Sequence, residues 1–133
     1  MNTEKTVLIL TDDAEPTLNM AREIASALKG HKVKLTAAAG FAGTDLLPSD
    51  ILFIGCEKPN PPSFACIAKM LKHINLAGRS CGVFSPGNAQ ALKYLSGLVR
   101  DSEIFNSEPL MTDEPGEIAP WAKAVIKNHG LQA

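Results

Sequence analysis

The sequence predicts an α/β protein: a three-layer sandwich in which a five-stranded parallel sheet of order 2-1-3-4-5 carries helices on both faces. Short apolar runs alternate with amphipathic helical patterns along the chain. The runs at 7–10 and 51–54 contain no polar residue, which is typical of strands covered on both faces. No repeat or change of composition divides the 133 residues, so we expect a single domain over residues 1–133.

The first half of the chain reads as strand, helix and strand. After the strand at 7–10, apolar residues recur from Pro16 onward at spacings of three and four, which predicts a helix that ends at Gly30. Residues 32–37 form the second predicted strand, and its alternation of lysine with apolar residues indicates an edge position. Residues 38–49 are rich in small side chains and read as a linker with little helix.

The second half continues the alternation of strand and helix. Its predicted elements are a central strand over 50–55, a helix over 64–74, a strand over 81–84, a helix over 89–99, a last strand over 103–111 and a closing helix from Gly116. Prolines and asparagine in 59–62 cannot continue a strand or a helix, so this segment is a stiff loop. We expect 106–109 to interrupt the last strand, because Pro109 lacks a backbone donor.

Composition excludes several classes of partner. The net charge of −1 gives no basic excess, so we expect no nucleic-acid partner. The apolar runs are too short to span a bilayer, and residues 1–6 show no signal-peptide pattern. Three cysteines without zinc-like pairing fit a reducing compartment. We therefore expect a cytoplasmic protein with no membrane partner.

Single cysteines and histidines give no catalytic pattern. Cys56 follows the central strand, but a buried, unreactive thiol is the expected state, and Cys66 and Cys81 are expected in the core. The three histidines, His31, His73 and His129, lack mutual spacing for a metal site or a triad and are expected to be solvated. No nucleophile–base pair is visible, so a carrier or binding protein is favoured over a catalyst, and enzymatic activity is left open.

Three loops should meet where the first, third and fourth strands end, because ligands of open α/β sheets bind at the carboxyl ends of the strands. The candidate ligand-binding residues of these loops are Thr11, Asp12, Asp13, Ala14, Glu15, Pro16, Thr17, Cys56, Glu57, Lys58, Pro59, Asn60, Ser85, Pro86, Gly87 and Asn88. The first loop is acidic, and the spacing of Asp12 and Glu15 is that of a capping box at a helix start.

The chain resembles the flavodoxin family over essentially its whole length. The segments that carry the resemblance are LPSDILFIGC at 47–56, NLAGRSCGVFSPG at 75–87, IAPWAKAV at 118–125 and PTLNMA at 16–21. The resemblance implies the same fold, FMN as a cofactor and electron transfer to a redox protein partner. Fold-level likeness does not by itself determine function.

The phosphate-binding motif departs from the family. In flavodoxins a Ser/Thr-x-Thr-Gly-x-Thr loop holds the FMN phosphate, and here its positions fall on residues 12–17, where only Thr17 matches. Acids replace a hydroxyl at Asp12 and the glycine at Glu15, and Pro16 lacks an amide donor. The loops that hold the flavin ring in the family contain no aromatic residue here, and Phe64 and Tyr94 are expected in the core.

Two functional hypotheses follow. The first is a divergent flavodoxin-like protein that binds FMN, riboflavin or a similar small ligand and carries electrons, and the second is a cofactor-free interaction module. The pair Asp12 and Asp13, with the hydroxyl of Ser85, also resembles a phosphorylatable receiver domain. However, Gly55 and Glu108 stand where that family has its phosphorylated Asp and its Lys. A degenerate receiver-like domain with weak Mg²⁺ binding through a nearby carboxylate is the less favoured alternative.

Overall fold

A computed structural model of the chain describes residues 4–40, 43–112 and 114–129, so residues 41 and 42 of the predicted linker lie outside the described residues. Its strands are β1 Thr6–Thr11, β2 Lys32–Ala37, β3 Ile51–Gly55, β4 Ser80–Ser85, β5 Phe105–Asn106 and β6 Leu110–Met111. Its helices are α1 Glu15–Ala27, α2 Gly43–Leu46, α3 Ala65–His73, α4 Ala89–Arg100 and α5 Ile118–His129.

The sheet is parallel throughout, and its order β2-β1-β3-β4-β5 confirms the predicted topology, with β3 at the centre. The last position of the sheet is divided between two short strands. β5 pairs with the first residues of β4 through Ser80 and Phe105, and β6 pairs with its last residues through Phe84 and Leu110. The predicted interruption is therefore confirmed.

Two apolar cores lie on opposite faces of the sheet, because successive side chains of a strand point to opposite sides. Along β1, Leu8 and Leu10 pack in the core that also contains buried residues of α3 and α4. Val7 and Ile9 pack in the other core, with α1 and α5. The helices thus cover both faces, as predicted.

Glycine at two sheet positions makes room for aromatic rings. A β-carbon at Gly55 would lie within 3.0 Å of the buried ring of Phe84, and one at Gly82 would lie 3.0 Å from the indole of Trp121. The Trp121 ring packs edge-on against Phe53, with ring centroids 5.4 Å apart, and its Nε1–H donates to the carbonyl of Glu108 at 2.7 Å. These contacts attach α5 to the centre of the sheet.

Three predictions about single residues are wrong. Cys66 is exposed, whereas Cys81 is buried as predicted. His129 is half-buried rather than solvated, and its Nδ1 lies 2.7 Å from the hydroxyl oxygen of Ser80 at the start of β4. His31 is half-buried as well, and its Nδ1 accepts a hydrogen bond from the backbone N–H of Lys5 at 3.0 Å. Both histidines contact residues at the amino-terminal edge of the sheet that are distant from them in the sequence.

The remaining single-residue predictions are confirmed. His73 is exposed, and Phe64 is fully buried at the start of α3. Tyr94 is half-buried and packs against Phe64, with ring centroids 6.4 Å apart. Neither aromatic ring therefore stands ready to contact a ligand at the carboxyl edge of the sheet.

Candidate functional site

The loops after β1, β3 and β4 meet at the carboxyl edge of the sheet around a cavity of about 320 Å³. This cavity, called the carboxyl-edge cleft below, is lined by Pro16, Glu57, Lys58, Pro86, Gly87 and Asn88. All six belong to the predicted candidate residues. The parallel topology therefore brings residues from three separate loops to one concave surface, whose volume lies at the small end of typical ligand sites.

Asp12 ties two of these loops together. The residue is buried, with 6% of its surface exposed. One oxygen, Oδ1, accepts the backbone N–H of Ala14 at 3.2 Å, and the other, Oδ2, accepts the backbone N–H of Glu57 at 2.8 Å. Both oxygens of a buried charge are thus bound to amide donors, which is the condition under which a buried carboxylate is tolerated. We call this arrangement the Asp12 clamp.

The capping-box prediction for the first loop is wrong. α1 begins at Glu15 after an extended Ala14, and no side chain caps its first amides. Asp12 does not cap the helix, because its carboxylate is bound elsewhere. It accepts the amide of Ala14, which precedes the first helical residue, and the amide of Glu57 in the loop after β3. Glu15 instead forms an exposed ion pair with Arg22 at 3.4 Å, a contact that contributes little to stability.

The hydroxyls of the first loop are not presented to the cleft. Thr11 and Thr17 are fully buried, and within the described part of the chain neither side-chain oxygen has a hydrogen-bond partner. Neither lines the cleft. The one threonine that matches the family's phosphate motif, Thr17, therefore lies beneath the loop, where an incoming ligand does not reach it.

The loop after β4 is held in one conformation. The Ser85 hydroxyl accepts the backbone N–H of Asn88 at 3.3 Å, and the Asn88 side chain caps α4 by accepting the N–H of Gln90 at 2.9 Å. Gly87 has φ of +143°, a value that side chains rarely permit, and a β-carbon there would meet nothing within 4 Å. Its backbone is consequently open to a ligand's close approach.

The loop after β3 contributes a thiol that is unreactive. Cys56 is buried, and burial together with the nearby Asp12 carboxylate raises its pKa to about 12. Burial also raises the pKa of Tyr94, with a further contribution from Cys56. A thiol with so high a pKa stays protonated at neutral pH, and the thiolate is the nucleophilic form. Cys56 is thus a packing residue, as predicted.

The other predicted residues lie around the cleft without lining it. Pro59 and Asn60 are exposed in the stiff loop, where Asn60 adopts a left-handed φ of +51°. Asp13 and Ala14 lie at the outer side of the first loop, Asp13 exposed and Ala14 half-buried. The carboxyl edge is therefore assembled from fewer of the candidate residues than the sequence indicates.

The phosphate of FMN does not fit the first loop. The Asp12 clamp already occupies the amides of Ala14 and Glu57 with a negative charge, and Pro16 has no amide to donate. A unit charge about 5 Å from this carboxylate is repelled by about 0.8 kcal/mol in water, and by more where water is partly excluded. No aromatic side chain is among the described residues that line the cleft.

A larger cavity adjoins the cleft. It has a volume of about 640 Å³, shares Pro16 and Pro86 with the cleft, and extends between α1 and the start of α5 over the buried side chains of Met20 and Ile118. No pattern in the sequence indicates this cavity. Met20 and Ile118 were visible only as residues of predicted helices, and nothing in the sequence shows that the ends of two distant helices meet there.

Over residues 4–40, 43–112 and 114–129, no three His, Cys, Asp or Glu side chains are grouped so that they could hold a metal ion. In the same part of the chain, no helix is both long and apolar enough to cross a bilayer.

Solved structures similar to this chain include flavodoxins and an oxidoreductase. A short-chain flavodoxin associated with a non-canonical PDU bacterial microcompartment superposes with a TM-score of 0.83 at 12% identity, over 95% of this chain and 99% of that chain. A flavodoxin from Streptococcus pneumoniae TIGR4 gives 0.79 at 16% identity, over 96% and 99%. The rubredoxin oxygen:oxidoreductase of Desulfovibrio gigas gives 0.81 at 17% identity, over 97% of this chain and 37% of that chain.

Comparisons of sequence alone find no relative: no family model and no curated protein matches the chain. The likeness of structure extends over nearly the whole chain and establishes the flavodoxin-like fold. At identities of 12–17% it establishes the fold alone.

Proposed function

We propose that this protein binds a flavin without its terminal phosphate, or a planar molecule of similar size, in the carboxyl-edge cleft, and that it acts as an electron carrier for a redox protein partner. The observation that carries the proposal is the meeting of three loops, each from a different parallel strand, around one open cavity. Ligands of open α/β sheets bind at this edge. The flavodoxin-like fold adds support, because it is the fold of the flavodoxins found by comparison.

The lining residues have distinct roles in this proposal. Pro16 and Pro86 supply rigid apolar walls, and the exposed backbone at Gly87 permits a ring to approach closely. Lys58 is exposed and lines the cleft, and water screens its charge. A bound flavin would supply the redox chemistry, whereas the chain supplies only position and exclusion of water.

The Asp12 clamp determines which flavin is preferred. A terminal phosphate carries about two negative charges, and each is repelled by the clamp's carboxylate by about 0.8 kcal/mol at 5 Å in water. Together these repulsions correspond to roughly a tenfold loss of affinity for the phosphorylated form. Riboflavin should therefore bind more tightly than FMN, the reverse of what a phosphate-binding loop would produce.

A second candidate is a cofactor-free interaction module. Two observations favour it: the described residues that line the cleft include no aromatic ring, and the Asp12 clamp holds the loops in place by contacts within the chain. Aromatic stacking is the usual means of holding a flat ring. A module of this kind would present the same loops to a protein instead of a small molecule.

One titration decides between the two candidates. The purified protein is titrated into riboflavin, FMN and FAD while flavin fluorescence is followed. Saturable binding with riboflavin about tenfold tighter than FMN supports the proposal. Tighter binding of FMN would contradict the role given to Asp12, and absence of binding by all three flavins would leave the interaction module as the function.

Two variants test whether riboflavin binds at the carboxyl-edge cleft. Lys58→Trp places an aromatic ring at the mouth of the cleft, and stacking contributes about 0.5–1.5 kcal/mol beyond area burial, so riboflavin affinity should rise about two- to tenfold. Lys69→Trp, at an exposed position of α3 away from the cleft, is the matched control and should leave affinity unchanged. Equal effects of the two substitutions would show that riboflavin does not bind at the cleft.

A further inference from the structure

A separate cavity of about 330 Å³ lies at the opposite edge of the molecule, where α1 and α5 end. We call it the basic cavity. The described residues that line it are Ala27, Leu28, Lys29, His31, Lys123, Ile126 and Lys127. α1 reaches from the carboxyl-edge cleft at Pro16 to this cavity at Ala27, so the two sites lie at opposite ends of one helix.

The charged groups of the basic cavity have one sign. Lys29, Lys123 and Lys127 come from two different elements, all three are exposed, and no acidic side chain is among the described residues that line the cavity. Neither of the two ion pairs in the described part of the chain includes any of these lysines. The protein as a whole has a net charge of −1, so this local excess of positive charge is not a property of its general surface.

His31 adds a hydrogen-bond donor of fixed position. Its Nδ1 accepts the backbone N–H of Lys5 at 3.0 Å, so the proton of the neutral ring resides on Nε2. The backbone N–H of His31 is held in turn by the carbonyl of Leu28 at 3.1 Å. An apolar floor completes the cavity, because Leu28 is only 2% exposed and Ile126 is packed against the core.

Stabilisation of helix ends does not account for this arrangement. Cations near a helix C-terminus interact favourably with its partial negative charge of about half an elementary charge. Of the three lysines, only Lys127 lies in the last turn of α5, and the last turn of α1 contains no basic residue. The two helix ends contribute together about −1, against +3 from the three ammonium groups, which leaves an excess of about +2.

We propose that the basic cavity binds a small phosphorylated molecule, whose phosphate is held by Lys29, Lys123 and Lys127 and by the Nε2–H of His31. A phosphate group carries close to two negative charges at neutral pH and offers several acceptor oxygens, which matches three ammonium donors and one ring donor. The cavity has the volume of roughly ten water molecules, enough for a diphosphate or a small phosphate ester. The apolar floor at Leu28 and Ile126 takes an uncharged part of the ligand.

The test uses inorganic pyrophosphate as the probe, titrated into the full-length protein by calorimetry at low and at physiological ionic strength. The wild-type protein should show saturable 1:1 binding that weakens with salt, as contacts among exposed charges do. Lys29→Gln/Lys127→Gln should reduce the affinity by about tenfold or more. Lys69→Gln/Lys72→Gln is the matched control, because it removes the same charge from exposed positions on α3, and it should change the affinity less than twofold.

Three results would overturn the proposal. These are the absence of saturable pyrophosphate binding at low salt, equal weakening by the two double variants, and binding of a polyglutamate peptide through the same lysines without binding of pyrophosphate. The last result would make the surface a docking face for an acidic protein. All four substituted lysines are exposed, so circular dichroism should show an unchanged fold in each variant.

Discussion

Replacing Asp12 with alanine removes two hydrogen bonds from a charged acceptor to backbone amides, those of Ala14 and Glu57. Hydrogen bonds to charged groups contribute about 1.5–3 kcal/mol each, although amides that become accessible to water regain part of this. We expect the free energy of unfolding to fall by about 2–4 kcal/mol. With a urea m-value of about 2 kcal/mol/M, the midpoint of urea unfolding should shift by about 1–2 M.

The matched control for this prediction is Asp13→Ala. Asp13 is the exposed neighbour of Asp12 and carries the same charge, and its side chain forms no hydrogen bond within the described residues. Its substitution should change stability by less than about 0.5 kcal/mol. Urea unfolding followed by the fluorescence of the single tryptophan measures both variants. Equal midpoints for the two variants would show that the hydrogen bonds of Asp12 do not determine the loss of stability.

Further predictions concern a proton, a packing contact and a thiol. Burial and a neighbouring ammonium group lower the pKa of His129 below its ordinary 6.5, so the unfolded chain binds the proton more readily and stability should fall as the pH drops below 6.5. Urea midpoints measured from about pH 7.5 to 5 should fall in this way for the wild type and for His73→Asn, but less for His129→Asn. Equal pH profiles for the two variants would refute the prediction. Gly55→Ala forces a methyl group against the buried ring of Phe84 and should lower the free energy of unfolding, measured in urea, by about 1–3 kcal/mol. Gly97→Ala, at an open helical position, should leave the free energy of unfolding unchanged or raise it by up to about 1 kcal/mol. An unchanged stability of Gly55→Ala would contradict the packing. A thiol reagent should modify the native protein once, at Cys66, and the urea-unfolded chain three times; fast modification of a second native thiol would refute the assigned burial.

The topology was predictable because the runs at 7–10 and 51–54 are apolar at every position and the helices are amphipathic. A run such as residues 51–54 leaves few places in a sheet other than its centre. Once the strands are parallel and their order is known, the meeting of the loops after β1, β3 and β4 follows from geometry. The six residues that line the carboxyl-edge cleft all belong to the candidates that the sequence indicates, but the sequence does not separate them from the other candidates.

Contacts between distant segments were not predictable in the same way. The local spacing of Asp12 and Glu15 indicates a helix cap, but a hydrogen bond to the amide of residue 57 prevails. Cys66 stands next to the apolar stripe of α3, and its residue type favours burial although its position on the helix does not. By its place in the sequence, His129 is a polar residue near a helix end. Its contact with Ser80, on a strand far earlier in the chain, is visible only in the structure.

The residues of the basic cavity could not be grouped from the sequence either. Lys29 and His31 belong to a turn after the first helix, and Lys123 and Lys127 belong to the last helix. Read in order, these residues are ordinary surface charges at helix ends. Only the packing of α1 beside α5 against one face of the sheet gathers them around a single concavity.

The Asp12 clamp acts as an anion that the protein carries within its own chain. A free anion that binds the amides of Ala14 and Glu57 must displace the Asp12 carboxylate, whose effective concentration does not fall on dilution. Well-oriented groups within one molecule reach effective molarities of about 10⁵ M or more. Cellular phosphate or nucleotides at millimolar levels therefore do not displace it. The geometry of the first loop is consequently set by the chain itself and does not require a bound anion.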